Sequence, residues 1–432
     1  MNAHEHLLLI YNSALNAVNG RNTVAAFLRE HPYHTPLALI AIGKAATHMV
    51  AGAYDVLSTY ITHALLITKL GHLDKQLLAG YPITCLEAAH PVPDESSLAA
   101  GQALLYFIEN LPPQYPILFL ISGGASALVE VLVPGVTLAD LQRVNQWLLG
   151  SGLDIHAMNK VRKSLSAIKG GRLAGYLEGH LVLNLLISDV PGDDLQAIGS
   201  GLGTKHDEMT LPNSLPDWLR ALTAYAHPLA QSACFTNIEQ HIIARPATLL
   251  QAACDAARRL GYAVFNHEAL IVGEAELAGR TLIQQICTAS PGIYVWSSET
   301  TVHLPENPGQ GGRCQSLALA AACELAGRGD VFLLAAGTDG NDGPSDVAGA
   351  LVDGGTLERG RQKGFNAEQC LEKADAGRFL AESGDLIYTG PTGTNVMDVL
   401  IGLKTKRGCH LGVFRFVRSV LCYLVGWIRR SS

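Results

Sequence analysis

The string Ser188-Asp189-Val190-Pro191-Gly192-Asp193-Asp194 places three carboxylates in a short stretch directly after an apolar, β-branched run. Carboxylates at the C-terminal edge of a buried strand can hold magnesium or accept a proton from a hydroxyl, and both roles belong to phosphoryl transfer. Asp189 and Asp193 are therefore candidate metal ligands, and Asp189 is also a candidate base. Helix capping is the competing role for Asp193 or Asp194. A candidate cation stands in Ala41-Ile42-Gly43-Lys44-Ala45-Ala46, where Gly43 permits a sharp turn and Lys44 sits at the mouth of the next helix. A compact positive charge held there can stabilise a transferring phosphoryl group or a carboxylate. The plainer alternative is a solvated lysine at a helix start.

Several loops supply anion or nucleotide ligands of another kind. In Ser122-Gly123-Gly124-Ala125-Ser126 small residues leave backbone amides free at a predicted helix start, so Ser122, Gly123, Gly124 and Ser126 are candidates to cradle a phosphate. In residues 159–172 five of fourteen residues are cationic, among them Lys169, which suits either nucleotide phosphates or a solvated helix face. Pro308-Gly309-Gln310-Gly311-Gly312-Arg313 puts Arg313 in the first turn of a helix, where the helix dipole disfavours it. That predicts a ligand anion held by the guanidinium. The loops carrying Gly337, Thr338 and Asp339, and then Thr389, Gly390, Thr392 and Asn395, read as a rim of oxygen ligands and amides for metal or nucleotide. Neither a Walker A string nor G-x-G-x-x-G in a dinucleotide-binding context is present.

These loops need strands to position them. Short apolar runs at residues 37–42, 64–68, 117–121, 182–187, 293–297 and 331–336 read as buried strands. They alternate with helical stretches such as 97–109 and 246–260. That alternation predicts a doubly wound α/β protein. A chain of 432 residues with 48% hydrophobic and 16% charged content is long enough for two cores. The polar, proline-containing stretch 204–237 suggests a boundary near residue 235, giving domains 1–235 and 236–405. A net charge of −7 offers no basic footprint for nucleic acid. Nine cysteines with no C-x-x-C pair suit reduced thiols, and the polar start of the chain lacks a secretory pattern, so a cytoplasmic protein is expected. The apolar but arginine-bearing tail 406–432 reads as an amphipathic segment and not a membrane span. Nothing in the sequence decides the assembly, and a homodimer is left open.

Taken in order, Gly43-Lys44-Ala45, Ser122-Gly123-Gly124, the stretch 163–174, Ile187-Ser188-Asp189-Val190-Pro191-Gly192-Asp193, Gly311-Gly312-Arg313, Gly337-Thr338-Asp339-Gly340 and residues 389–395 resemble the glycerate 2-kinase family with a MOFRL-type C-terminal half. The resemblance spans roughly residues 3–403. It implies two α/β domains, the first Rossmann-like with a largely parallel sheet, and an active site in the cleft between them. It further implies ATP and Mg2+ as cofactors and D-glycerate as the phosphoryl acceptor at its 2-hydroxyl. Lys44 and Arg313 would then bind the phosphoryl group or the carboxylate, with Asp189 as base or metal ligand. Because family members also bear the name hydroxypyruvate reductase, an NAD(P)H-dependent reductase is the alternative, disfavoured by the missing dinucleotide fingerprint. Leu202 and Cys314 depart from the family pattern, which usually has Pro and Asn there.

Overall fold

A computed structural model of the chain describes residues 2–206, 210–225 and 232–406, so the amphipathic reading of the tail lies, but for Lys406, outside the described residues. The first sheet has six strands: β1 (Leu37–Ile42), β2 (Ile61–Lys69), β3 (Thr84–Ala88), β4 (Ile117–Ile121), β5 (Val182–Ile187) and β6 (Ile238–Ala244). All pair in parallel in the order β3-β2-β1-β4-β5-β6. β1, β4 and β5 are buried along their whole length, as expected for parallel strands covered by helices on both faces. Their side chains alternate between two cores. Leu39, Leu118 and Leu185 face one, while Ile40, Phe119 and Leu186 face the other.

The second sheet is β7 (Val264–Glu274), β8 (Gly292–Thr301), β9 (Val331–Gly337), β10 (Gly349–Val352), β11 (Leu386–Ile387) and β12 (Asp398–Lys404), in the order β11-β10-β9-β12-β8-β7. Only β7 and β8 run parallel; the other pairs are antiparallel. The two α/β sheets agree with the expected fold class, and the parallel one is the first.

The halves are tied together by the N-terminal helix Ala3–Val18, started by a capping box between Asn2 and Glu5. It packs on the helix Pro246–Arg259 and on β9 and β12, and its fully buried Tyr11 donates a hydrogen bond to the Gly337 carbonyl at 2.8 Å. One hydrophobic cluster accordingly joins Leu7, Leu39 and Leu118 of the first half to Leu249, Val295, Leu334 and Val399 of the second.

Candidate active site at the switch point of the parallel sheet

In the order β3-β2-β1-β4-β5-β6 the direction of winding reverses between β1 and β4, where strand-end loops diverge and leave a crevice. The turn carrying Lys44 follows β1, and the serine–glycine turn follows β4, so these two lie side by side. Gly43 has φ +133°, and a Cβ there would come within 2.1 Å of Ser122 Oγ, so only glycine permits this approach. The Ala45 amide donates to Ser122 Oγ at 3.1 Å, and the Lys44 amide donates to the Gly123 carbonyl at 2.9 Å. These bonds fix the Lys44 backbone without using its ammonium. The helix after Gly124 is a single turn, Ala125–Leu128, so little of the expected helix dipole is available there. The loop contributes mainly by its shape, and Ser126 shares its hydroxyl with Ser200 at 2.7 Å.

Lys44 Nζ donates to Asp339 Oδ2 at 2.7 Å, joining β1 to the loop after β9. Burial alone would raise the Asp339 pKa, but the Lys44 charge and hydrogen bond hold it below the usual carboxylate range. The Asn341 amide braces the other Asp339 oxygen at 3.1 Å, and His72 shares a 3.1 Å hydrogen bond with Asn341 Oδ1. His90 packs beside this pair: a Cβ on Gly124 would lie 3.1 Å from its ring and 3.2 Å from Lys44 Cγ. Burial and the charges of Lys44 and Lys69 push the His90 pKa down to about 4, so it is neutral at pH 7.

Asp189 enters from the end of β5, and Asn395 Nδ2 donates to its Oδ2 at 2.9 Å. The space between them and the β4 turn is closed. A Cβ on Gly123 would fall 1.9 Å from Asn395 Nδ2 and 2.0 Å from Asp189 Oδ2. Burial raises the Asp189 pKa to about 6, with Lys44 opposing and Glu299 and Asp339 adding to the rise. Asp193 lies apart from that contact: its Oδ2 is 3.4 Å from Arg245 Nη1, while its Oδ1 is buried without a hydrogen-bond partner.

The anion predicted for Arg313 turns out to be supplied by the protein. Asp398, at the start of β12, accepts from Arg313 Nε at 2.6 Å and from Nη2 at 3.1 Å, a forked pair that also offsets the unfavourable dipole. Nη1 stays 3.9 Å from Glu299, and about a third of the Arg313 side chain is exposed. The helix Arg313–Leu325 is started by Asp342, which accepts from the Cys314 amide at 3.0 Å and the Gln315 amide at 2.8 Å. Burial and the Asp398 charge raise the Asp342 pKa to about 7. Cys314, the departure from the family pattern, is buried and uses its backbone for this cap.

The two rim loops are knitted to each other. Thr338 donates its hydroxyl to the Met397 carbonyl at 2.6 Å and accepts from the Val396 amide at 2.8 Å, while the Thr392 hydroxyl donates to the Thr338 carbonyl. Gly340, at φ +89°, would clash with the Gly390 carbonyl at 2.1 Å if it carried a Cβ. Asn19 donates to the Thr392 carbonyl at 2.8 Å, anchoring the rim on the first half. Gly337 lends its carbonyl to Tyr11. Thr389 sits exposed at the outer end, where its hydroxyl bonds the Gly390 carbonyl at 2.8 Å.

The basic stretch behaves as neither reading expected. Its helix, Ile155–Ser164, stops early, and residues 165–171 form turns and bends around an isolated bridge from Ser166 to Leu132. Lys169 is buried and paired with Glu130, Lys163 donates to the Gln196 carbonyl at 2.8 Å, and Arg172 donates to the Lys163 and Lys169 carbonyls. Three of the five cations thus hold the interior together. Sequence reasoning passed over His72, His90, Asp342 and Asp398. Asp342 lies inside a flagged loop, but nothing local marks Asp398, which reads as the polar first residue of an apolar run.

Two α/β sheets whose strand-end loops carry a paired lysine, several carboxylates and an arginine present the residue types that a phosphotransferase uses. Family models match the chain as a domain of unknown function (DUF4147) over residues 6–228 and as the MOFRL family over residues 292–398. It is 37% identical to the D-glycerate 2-kinase of Thermotoga maritima, with 84% of this chain and 90% of that protein aligned. It is 33% identical to the glycerate 2-kinase of Pyrococcus horikoshii, covering 92% and 94%. The crystal structure of a glycerate kinase from Thermotoga maritima superposes with a TM-score of 0.79 at 33% identity, covering 92% of this chain and 99% of that one. Relatives in Agrobacterium vitis bear provisional hydroxypyruvate reductase names. The chain belongs to the glycerate 2-kinase family.

Proposed function

We propose that the protein transfers the γ-phosphoryl group of ATP to the 2-hydroxyl of D-glycerate, giving 2-phosphoglycerate and ADP. The observation that carries this is the meeting of Lys44, Asp339 and the Asp189–Asn395 contact at the switch point of the parallel sheet, on a family-wide kinase scaffold. In this reading the Asp189 carboxylate takes the 2-hydroxyl proton while that oxygen bonds to the γ-phosphorus and the bond to the β–γ bridging oxygen breaks. Lys44 and the free Nη1 edge of Arg313 stabilise charge on the phosphoryl oxygens or hold the acceptor carboxylate. The glycine turns after β1 and β4, with the 337–341 and 389–395 loops, hold the nucleotide phosphates, whereas Lys169, paired with Glu130 in the interior, takes no direct part.

The donor set suits magnesium carried in by a nucleotide, because such an ion needs only one or two protein carboxylates, the remaining ligands being phosphates and water. Asp189 lies at the site, and Asp193 offers an orphaned buried oxygen. No group of three or more such ligands occurs among the described residues. When bound, the ion would neutralise charge on the β- and γ-phosphates.

We further propose that the two sheets are the two domains and that the site is the cleft between them; because β6 (Ile238–Ala244) pairs with β5 in the first sheet, the boundary then falls after β6 and not near residue 235. Cytoplasmic residence is proposed on the free cysteines found among the described residues. No helix among those residues is long and apolar enough to cross a membrane. The homodimer left open above could pair through the edge strand β7, which is exposed along most of its length.

The test is ADP release with ATP, magnesium and D-glycerate, run beside NADH oxidation with hydroxypyruvate, with 31P NMR to locate the new phosphate ester. ADP release yielding the 2-phosphate without NADH loss is the expected outcome. NADH loss alone would overturn the kinase reading.

A further inference from the structure

We propose that Lys69 is a further anion-binding cation of this site, taking a carboxylate or phosphate oxygen of the substrates; the inference rests on the kinase reading above. Lys69 ends β2, the strand beside β1, at the same C-terminal edge that carries Lys44. The two strand ends are clamped together: the Gly43 amide donates to the Ile67 carbonyl at 3.1 Å, and Thr68 Oγ1 donates to the Gly43 carbonyl at 3.0 Å. Lys69 therefore emerges directly after a residue bonded to the neighbour of Lys44.

Five lysines among the described residues are taken wholly or partly out of water: Lys44, Lys69, Lys163, Lys169 and Lys404. Lys44 has Asp339, Lys163 the Gln196 carbonyl, Lys169 has Glu130, and Lys404 donates to the Cys287 and Ala289 carbonyls. Lys69 alone has no partner among the described residues. Its surroundings make that costly, because the Lys44 charge acts on it and the Asp339 carboxylate is already engaged by Lys44. Burial and the Lys44 charge lower the proton affinity of Lys69, whereas Asp339 and the exposed Asp346 only partly offset this. A partly buried ammonium under the influence of a second one is stabilised when an anion arrives beside it. Lys44 shares its charge with Asp339, and Lys69, with no side-chain partner among the described residues, adds an uncompensated charge for that anion.

The experiment compares the parent with Lys69→Met, Lys69→Gln and Lys69→Arg. Steady-state ADP release gives separate KM values for D-glycerate and ATP, and thermal melting is followed with and without inorganic phosphate. Either neutral variant should raise one KM by about tenfold or more while the arginine variant restores most of it. A rise for D-glycerate identifies the carboxylate as the bound group, and a rise for ATP identifies a phosphate; both support the subsite. The ligand-free melting temperature should stay level or rise, since no protein contact is lost, and the upward shift given by phosphate should shrink. Two KM values within twofold of the parent together with an unchanged phosphate shift would overturn the proposal. A parent that binds phosphate but releases no ADP would count against the kinase reading, and the phosphate shift would still decide the role of Lys69.

Discussion

Two carboxylates a short distance apart carry opposite perturbations, and each has a measurable consequence. Asp339 sits below its usual range because of Lys44, while Asp189 is raised to about 6 by burial. If Asp189 is the base, kcat/KM should fall as pH drops below about 6, and Asp189→Asn should remove that limb together with roughly a hundredfold or more of the rate. Stability runs the other way. A carboxyl whose folded pKa lies above the ordinary 3.8 favours the fold while protonated and loses that contribution as pH rises through about 6. Asp189→Asn should therefore melt above the parent at pH 7, with the gap closing near pH 4. Lys44→Ala should reduce turnover by more than about tenfold, about 1.4 kcal/mol in the barrier. It should also destabilise the protein by leaving Asp339 buried and unpaired. Adding Asp339→Ala should recover melting temperature but not ADP release, because the lone buried charge is then gone.

The strand-end turns are the elements that make this site, and their glycines are readable one by one. Gly123 is special because Asp189 and Asn395 close over it, not because of its backbone angles. Gly123→Ala should break the Asn395–Asp189 hydrogen bond, lowering kcat strongly while the far-ultraviolet spectrum stays unchanged. Gly71, at φ +80° with nothing within 4 Å of an added Cβ, serves as the control that feels only backbone strain. The strings that drew notice in the sequence were these same turns, since a glycine cluster after an apolar run is a local signal. The basic stretch misled because its helical spacing stops at Ser164. Lys163, Lys169 and Arg172 then turn inward, toward acceptors that no periodicity reveals.

For the whole molecule, the decisive feature is that one hydrophobic cluster runs across both sheets, so the loops of the second half are held against those of the first. Tyr11 is part of that joint, with its hydroxyl on the Gly337 carbonyl, two residues before Asp339. Tyr11→Phe should cost about 1 kcal/mol, the net worth of one buried hydrogen bond, read as a lowered denaturation midpoint. Activity should fall further than that loss of stability explains, because the loop bearing Asp339 loses its brace.

The sequence alone determined that this is an α/β chain with buried strands ending in glycine-, aspartate- and threonine-rich turns, because side-chain burial along a strand and the demands of a tight turn are local. It also carried the family resemblance, since ordered motifs survive without knowledge of contacts. Which turns meet was decided only by the tertiary structure. Lys44 and Asp339 are 295 residues apart in the chain, and Asp189 and Asn395 are 206 apart. Strand order and the packing of the N-terminal helix bring each pair together. The same holds for Arg313, whose type and position predicted an anion but whose partner, Asp398, became visible only when β12 was laid between β8 and β9. Pairing across sheets depends on the global path of the chain, and no local pattern of residue types encodes it.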